Sequence, residues 1–395
     1  MKNYKLHISD GFRDIYGKEI LIKKDLENRI LNIFESYGYE LIKTPGVEYI
    51  DVYSNNGQKP DLYNLINRQG EVLALCNDMT RSIARFISTN NSLKGNVFKY
   101  CYSADTFRYP RLYQGKTHQF LQSGCELIGD NSLESDIQII YLAHKVLKAC
   151  NINKFTINIG SSKFLKLLMK DFNISDDVRT SIYSCIEKND YVSLRGILNN
   201  NLDNEKADLI FELMLKGGRI KFIDSLMNKL KNYKSYDELV HLKNIFNSLK
   251  ELGVENIIFD FSIYSYQDYY TGIIFNIYID NVVRYVVNGG RCDSLFKEFG
   301  KDLCDVGFGI DVDILTDYVI SNDLITLKNE KYLSISDDES FIKATINNDT
   351  FRENGIIVNE MKFNNFEEAI IYAKENGYSK IIEYVNNNIN VKEVR

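Results

Sequence analysis

Side chains able to carry or bind charge concentrate in a few short segments of this 395-residue chain. They are NDMT at 77–80, FRYPRLYQGKTHQFLQSGCE at 107–126, the tyrosine pair Tyr269-Tyr270 and VNGGRCD at 287–293. A guanidinium such as that of Arg108 meets a carboxylate or a phosphate through paired N–H donors, and a strand carboxylate such as Glu126 is a natural partner for that cation. Taken singly, Tyr269, Tyr270 and Phe275 read as aromatic core residues of a strand, and Gly289-Gly290 reads as a turn. The seven cysteines (Cys76, Cys101, Cys125, Cys150, Cys185, Cys292 and Cys304) include no CxxC pair and have no histidines at ligand spacing. Neither a zinc site nor a disulfide framework is indicated, and the thiols read as reduced and mostly buried. No metal and no cofactor are expected.

The elements that must hold these groups follow from periodicity. Ile22, Leu26, Ile30, Ile33 and Phe34 recur close to a 3.6-residue period, which predicts an amphipathic helix over 18–36 with Gly38 as its stop. A short strand over 39–43 ends before Pro45. Segments 100–107 and 119–128 form an antiparallel pair around a loop, 108–118, broken by Pro110 and Gly115. Ser132, followed by Glu134 and Asp136, caps a helix through Ile140, Ala143 and Leu147. Strand 155–159 is followed by short helices from Ser161 to about Leu252, which read as an all-helical insertion. Strand character returns at 257–261, 269–279 and 282–287, with Asp280-Asn281 as a hairpin turn and Gly289-Gly290 ending the hairpin. Strand 306–310 leads into a helix near 312–320. Beyond a polar stretch at 321–331, strand, helix, strand, helix and strand alternate, predicting a small α/β domain with a parallel sheet.

Length and a hydrophobic content of 44% allow one large core and at least one smaller domain. The formal charge of −6 argues against extensive non-specific phosphate binding. The start of the chain lacks the basic and apolar runs of a signal peptide, and no later stretch approaches a bilayer span, so a cytoplasmic location is expected.

Three segments in order resemble the class II histidyl-tRNA synthetase family. Residues 107–126 look like its motif 2, YYTGIIF at 269–275 with VNGGRCD at 287–293 is similar to its YYxxxxF and GGRYD segments, and VGFGIDVDIL at 306–315 stands where motif 3 falls. The resemblance covers roughly residues 1–320. It implies an α+β fold: a class II aminoacyl-tRNA synthetase-like antiparallel sheet flanked by helices, with a helical insertion at about 161–252. Residues 328–395 resemble a reduced anticodon-binding domain, and the motif 1-like stretch 37–45 would lie near a dimer interface.

In such a family an amino acid sits on the open face of the sheet. Carried over position by position, the resemblance assigns Asp78, Thr80, Arg108, Gln122, Glu126, Tyr269 and Tyr270 to a histidine pocket. Asp78 would accept from the ammonium, while Glu126 and the Tyr270 hydroxyl would bracket the imidazole nitrogens. The alternative for Glu126 remains a structural pair with Arg108. Departures are equally specific. Ser265 stands in the column of one ATP-binding arginine, Ile314 in that of the motif 3 arginine and Pro110 in that of the adenine-contacting glutamate. Cys76-Asn77 replaces an Arg-Pro pair, and Cys292 and Ser294 replace Tyr and Gly of GGRYDG. A neutral hydroxyl or an alkyl group cannot do the work of a guanidinium at a triphosphate.

A synthetase-like chain that keeps the pocket and loses the arginines is similar to the regulatory subunits that partner short-form ATP phosphoribosyltransferase. That resemblance implies a protein with no catalytic residue, a homodimer within a hetero-oligomer. Its partner would be the catalytic subunit and its effector histidine, with no membrane or nucleic-acid role. An active histidyl-tRNA synthetase and a synthetase-like tRNA-binding sensor stay open as alternatives.

Overall fold

The computed structural model describes residues 4–54, 62–90, 92–109, 117–263, 270–326, 330–386 and 388–394. They divide into two compact units, 1–325 and 326–395.

The first unit begins with helix α1 (Lys18–Ser36), whose Ile22, Leu26, Ile30 and Phe34 are buried as the 3.6-residue spacing requires. Strands β1 (Glu40–Leu41), β2 (Val47–Tyr49), β3 (Asn64–Ile66) and β4 (Val72–Leu75) precede helix α2 (Met79–Thr89). The long pair β5 (Phe98–Phe107) and β6 (Gln119–Ile128) leads to helix α3 (Leu133–Ala149), with Ser132 as its N-cap. After β7 (Phe155–Ser161) come helices α4 (Ser162–Asp171), α5 (Asp176–Lys188), α6 (Tyr191–Asn201), α7 (Asn204–Leu215), α8 (Ile220–Lys229) and α9 (Tyr236–Glu251). Strands β8 (Ile257–Phe259), β9 (Ile273–Ile279) and β10 (Val287–Arg291), helix α10 (Leu295–Glu298), strand β11 (Asp305–Asp311) and helix α11 (Val312–Ser321) complete the unit.

Eight strands form one sheet in the order β1-β5-β6-β11-β10-β9-β7-β8, antiparallel through its six central strands and parallel at both edges. Because side chains alternate across a strand, the sheet has two different faces. On one, α1 packs through Phe34, whose ring stands 5.7 Å from that of Phe308, and Phe308 in turn meets Phe275. On the other, Met79, Ile83, Ala84 and Ile87 of α2 join Tyr100, Tyr102, Tyr270, Ile274, Cys292, Leu295 and Phe296 in a second core. The small sheet β2-β4-β3 carries the chain into α2.

Gly289-Gly290 does not end a hairpin. Both glycines lie inside β10, a central strand, and residues 280–286 form the connection from β9. The cause is steric: a Cβ on Gly290 would stand 2.7 Å from the Tyr270 ring, so an ordinary residue would displace that tyrosine. Strand β9 starts at Ile273 rather than at Tyr269, which lies outside the described residues.

The second unit contains β12 (Lys331–Ser336), α12 (Phe341–Glu353), β13 (Ile357–Glu360), α13 (Phe366–Glu375), β14 (Lys380–Val385) and β15 (Asn388–Glu393). Its sheet runs β13-β12-β14-β15, parallel except for the antiparallel edge strand β15. Residues on β15 are all exposed, so no apolar alternation announced it. No helix among the described residues is long and apolar enough to cross a membrane.

Candidate functional site

Strand β6 presents Gln122, Gly124 and Glu126 on the α2 side of the sheet, and its neighbour β11 presents Asp305, Gly307 and Gly309 on the same side. Gly307 is opposite Glu126, and a Cβ there would lie 1.6 Å from Glu126 Oε2. The glycine is the space in which the Glu126 carboxyl rests. Gln122 lies likewise across Gly309.

Helix α2 completes this wall from above. Asp78 is its N-cap, in extended backbone conformation, and its Oδ1 accepts from the Thr80 amide at 3.0 Å. The next contact crosses to the sheet: Thr80 Oγ1 donates to Glu126 Oε1 at 2.5 Å. A carboxylate has further lone pairs, so neither Asp78 nor Glu126 is exhausted by these bonds. Tyr270 enters from the far side, donating through its hydroxyl to Asn288 Oδ1 at 3.2 Å, while Asn288 Nδ2 donates to Asn276 Oδ1 at 2.7 Å. A phenol whose proton is committed to an amide presents its oxygen as an acceptor to whatever else arrives. The structure therefore brings Asp78, Thr80, Gln122, Glu126 and Tyr270 to one face. Tyr269 lies outside the described residues, as do Pro110 and Ser265.

Arg108 is not the partner of Glu126. It is exposed, its Nε donates to the Asn77 carbonyl at 3.1 Å and its guanidinium lies over the Phe120 ring, 5.1 Å from the centroid. The strand register explains this, because Phe107 opposite Gln119 puts Arg108 beyond the end of the ladder, while Glu126 faces Thr80 well inside it. The GGRCD arginine also turns away. Arg291 points to the opposite face, where it meets Asp136, Ser135 and the Asp130 carbonyl at the start of α3.

The electrostatics of the wall are acidic and dry. Burial pushes the Glu126 carboxyl well above the usual range; nearby Asp305 and Asp78 push the same way and the Thr80 hydroxyl opposes them. Asp305 is also held well above its ordinary value, by burial first, with Arg291 pulling it down and Asp293 and Asp78 pushing it up. Tyr270 and Cys292 are kept neutral by burial and by these same carboxyls. Three polar groups of this wall escaped sequence reasoning: Asp305, Asn288 and Asn276. Asparagines inside apolar strands are a weak signal, since such residues are depleted there. Asp305 announced itself in no way.

A wall built of carboxyls, amide and phenol oxygens suits a ligand that donates hydrogen bonds and carries positive charge. Among the described residues, no group of three or more histidine, cysteine or acidic side chains could hold a metal ion. A separate cleft on the α1 side, about 380 Å³ with its open mouth, is lined by Gly11, Arg13, Lys23, Asp105 and Asp313 among others, and does not touch this wall.

Comparison with known proteins gives a consistent result. The family model described as Histidyl-tRNA synthetase matches residues 11–315. The chain is similar to the ATP phosphoribosyltransferase regulatory subunit of Clostridium novyi, 29% identical over 393 residues that cover 97% of this chain and 93% of that one. The protein of the same description from Clostridium kluyveri is 30% identical, covering 94% of this chain and 97% of the relative. A solved structure from Bacillus halodurans, described as an ATP phosphoribosyltransferase regulatory subunit/histidyl-tRNA synthetase, matches with a TM-score of 0.85 at 23% identity, over 98% of this chain and 100% of that one. At that identity the structural match speaks for the fold.

Proposed function

This chain belongs to the histidyl-tRNA synthetase family, among its ATP phosphoribosyltransferase regulatory subunits, and from that premise we propose that it is the non-catalytic regulatory subunit of a short-form ATP phosphoribosyltransferase. The observation that carries the reading is the near end-to-end similarity to proteins of that description in both directions of coverage. In this role it supports the first step of histidine biosynthesis through its catalytic partner and makes that step answer to histidine.

Site chemistry agrees with an effector rather than a substrate. Asp78 is the acceptor for the ligand's ammonium. Glu126, fixed by Thr80, and the Tyr270 oxygen take the ring nitrogens, with Gln122 at the margin and Arg108 at the mouth for the carboxylate. Adenylate chemistry needs cations around a triphosphate as charge develops. At the column of the motif 3 arginine stands Ile314, whose amide is taken up by the Asp311 cap at 3.0 Å. The neighbouring Asp313 is committed to Lys23 at 2.5 Å and to the Leu121 amide at 2.8 Å. Loss of one preorganised donor lowers rate by about two to three orders of magnitude, so loss of several removes useful turnover. The partners are a second copy of this chain and the catalytic subunit, with histidine regulating by binding one assembly state better than another.

Mixing purified chain with a short-form catalytic subunit tests the proposal. Phosphoribosyl transfer to ATP is expected only in the mixture, falling when histidine is added. A mixture that stays inactive, with no complex on a sizing column, overturns it. Histidine-dependent exchange of pyrophosphate into ATP by the chain alone would overturn the non-catalytic part.

A further inference from the structure

Asp305 is the one side chain among the described residues with two buried polar atoms and no well-formed hydrogen bond to either, the adjacent Val306 amide alone pulling its carboxyl down from the backbone. It is fully shielded from solvent, at 0% exposure. Buried carboxyls are ordinarily paired or hydrogen-bonded, so an orphan of this kind calls for a partner that arrives from outside. Its direction is set by the sheet. Asp305 is opposite Ile128 and Gly307 is opposite Glu126 in the antiparallel pair β6 and β11, so Asp305 and Glu126 share a face with only a glycine between them.

The titratable groups around Asp305 come from several elements, among them the Tyr39 phenol and the Cys125 thiol, both pushed up in part by its charge. Strand β6 contributes Glu126, and the start of α2 contributes Asp78. The segment after β10 contributes Cys292, whose amide donates to the Asp305 carbonyl at 2.7 Å, and Asp293. The cation Arg291 is already bonded on the opposite side to Asp136, Ser135, the Asp130 carbonyl and Asp293. Acidic groups therefore surround Asp305, and Arg291, whose charge pulls its carboxyl down, makes its hydrogen bonds to other residues.

We propose that Asp305 is a ligand-binding residue of the pocket, forming with Glu126 a two-carboxyl floor that takes the protonated, doubly N–H-donating ring of an imidazolium-bearing amino acid. This rests on the reading of the pocket as a histidine site and deepens it: the ring is held as a cation between two acceptors. Neutral imidazole offers one N–H donor and imidazolium offers two. Burial first, and then the neighbouring carboxyls, push both groups above their usual range, which favours their protonated forms in the empty pocket. On entry of a neutral ring, a carboxyl proton passes to the free ring nitrogen, leaving a carboxylate–imidazolium pair with no net proton exchanged with solvent.

The proposal predicts discrimination by ring basicity rather than by shape. Titration calorimetry on the full chain would compare histidine with 1,2,4-triazolyl-3-alanine, a ring of the same size that stays unprotonated near neutral pH. The native chain is expected to prefer histidine by about 10- to 100-fold, the range of a hydrogen bond to a charged group. Asp305→Asn should erase most of that preference while leaving the weaker analogue's binding nearly unchanged, and Asp305→Ala should do the same. Both variants should melt higher than the native chain without ligand, because an unpaired buried carboxyl has been removed; a purely structural Asp305 gives the opposite shift. Native preference that survives intact in both variants overturns the inference and leaves the histidine pocket standing. A native chain that binds neither compound overturns the pocket reading itself, and this inference with it.

Discussion

Arg291 and Asp136 form a buried ion pair that ties strand β10 to the first turn of helix α3, with Arg291 Nε 2.9 Å and Nη2 2.7 Å from the same Asp136 oxygen. The other Asp136 oxygen lies 3.0 Å from His241 Nε2 on α9, so one carboxylate joins sheet, α3 and α9. Removing a single partner of a buried pair strands the other charge, which typically costs about 3–5 kcal/mol. Arg291→Met should therefore lower the unfolding free energy measured by urea titration by that much. A loss below about 1 kcal/mol, the level of an exposed pair, would remove the clamp from the account of the fold.

Thr80 holds the Glu126 carboxyl in place. Its hydroxyl is the bond that fixes Oε1 of the carboxyl, and it pulls the Glu126 carboxyl down against burial and against Asp305. Thr80→Val keeps the shape and loses the donor, so histidine should bind about 10-fold more weakly by calorimetry. Thr80→Ser should restore most of the affinity. If Val and Ser behave alike, the hydroxyl does not position Glu126.

What the sequence made legible follows the range of its signals. Helix α1 could be read from Ile22 to Phe34 because its buried stripe is periodic within the helix itself. Gln122 and Glu126 could be placed on one face by the period of two along β6. Gly289-Gly290 misled because glycine pairs usually punctuate a chain, whereas here Tyr270 occupies the space a side chain would take, a fact set by a neighbouring segment. Arg108, at the end of the paired strand, was the cation weighed as the partner of Glu126, yet Thr80, farther along the chain, holds the bond. Asp305 is the sharpest case, since besides Asp293 its acidic neighbours Asp78 and Glu126 come from the cap of α2 and from β6, distant in sequence. Edge strand β15 went unread because a fully exposed strand has no buried face to pattern it.

The thiols should be inert in the folded chain. Cys76, Cys101, Cys125, Cys150, Cys185 and Cys292 are buried and Cys304 is half-buried. Burial raises each of them, which suppresses the reactive thiolate. Titration with a chromogenic disulfide at pH 8 is expected to give slow reaction at Cys304 alone before denaturant is added. Fast reaction of two or more thiols in the native chain would contradict the packing of both cores.

Asp311 adds a pH dependence whose sign can be worked out. It caps α11 by accepting from the Ile314 amide at 3.0 Å, but burial pushes its carboxyl up to about 6, with Asp313 adding to the rise and the Ile314 amide and Arg284 opposing it. The folded state thus holds this proton more tightly than the unfolded chain does, so the contribution favours folding below the unfolded value near 4 and is lost as pH rises through about 6. A shift of that size corresponds to about 2–3 kcal/mol, at about 1.4 kcal/mol per pH unit. Asp311→Asn keeps an Oδ1 acceptor for the cap and carries no charge. It should match the native urea midpoint at pH 4 and exceed it increasingly up to pH 7.5. Two curves that run parallel across that range would mean that Asp311 ionises in the folded chain as freely as in the unfolded one.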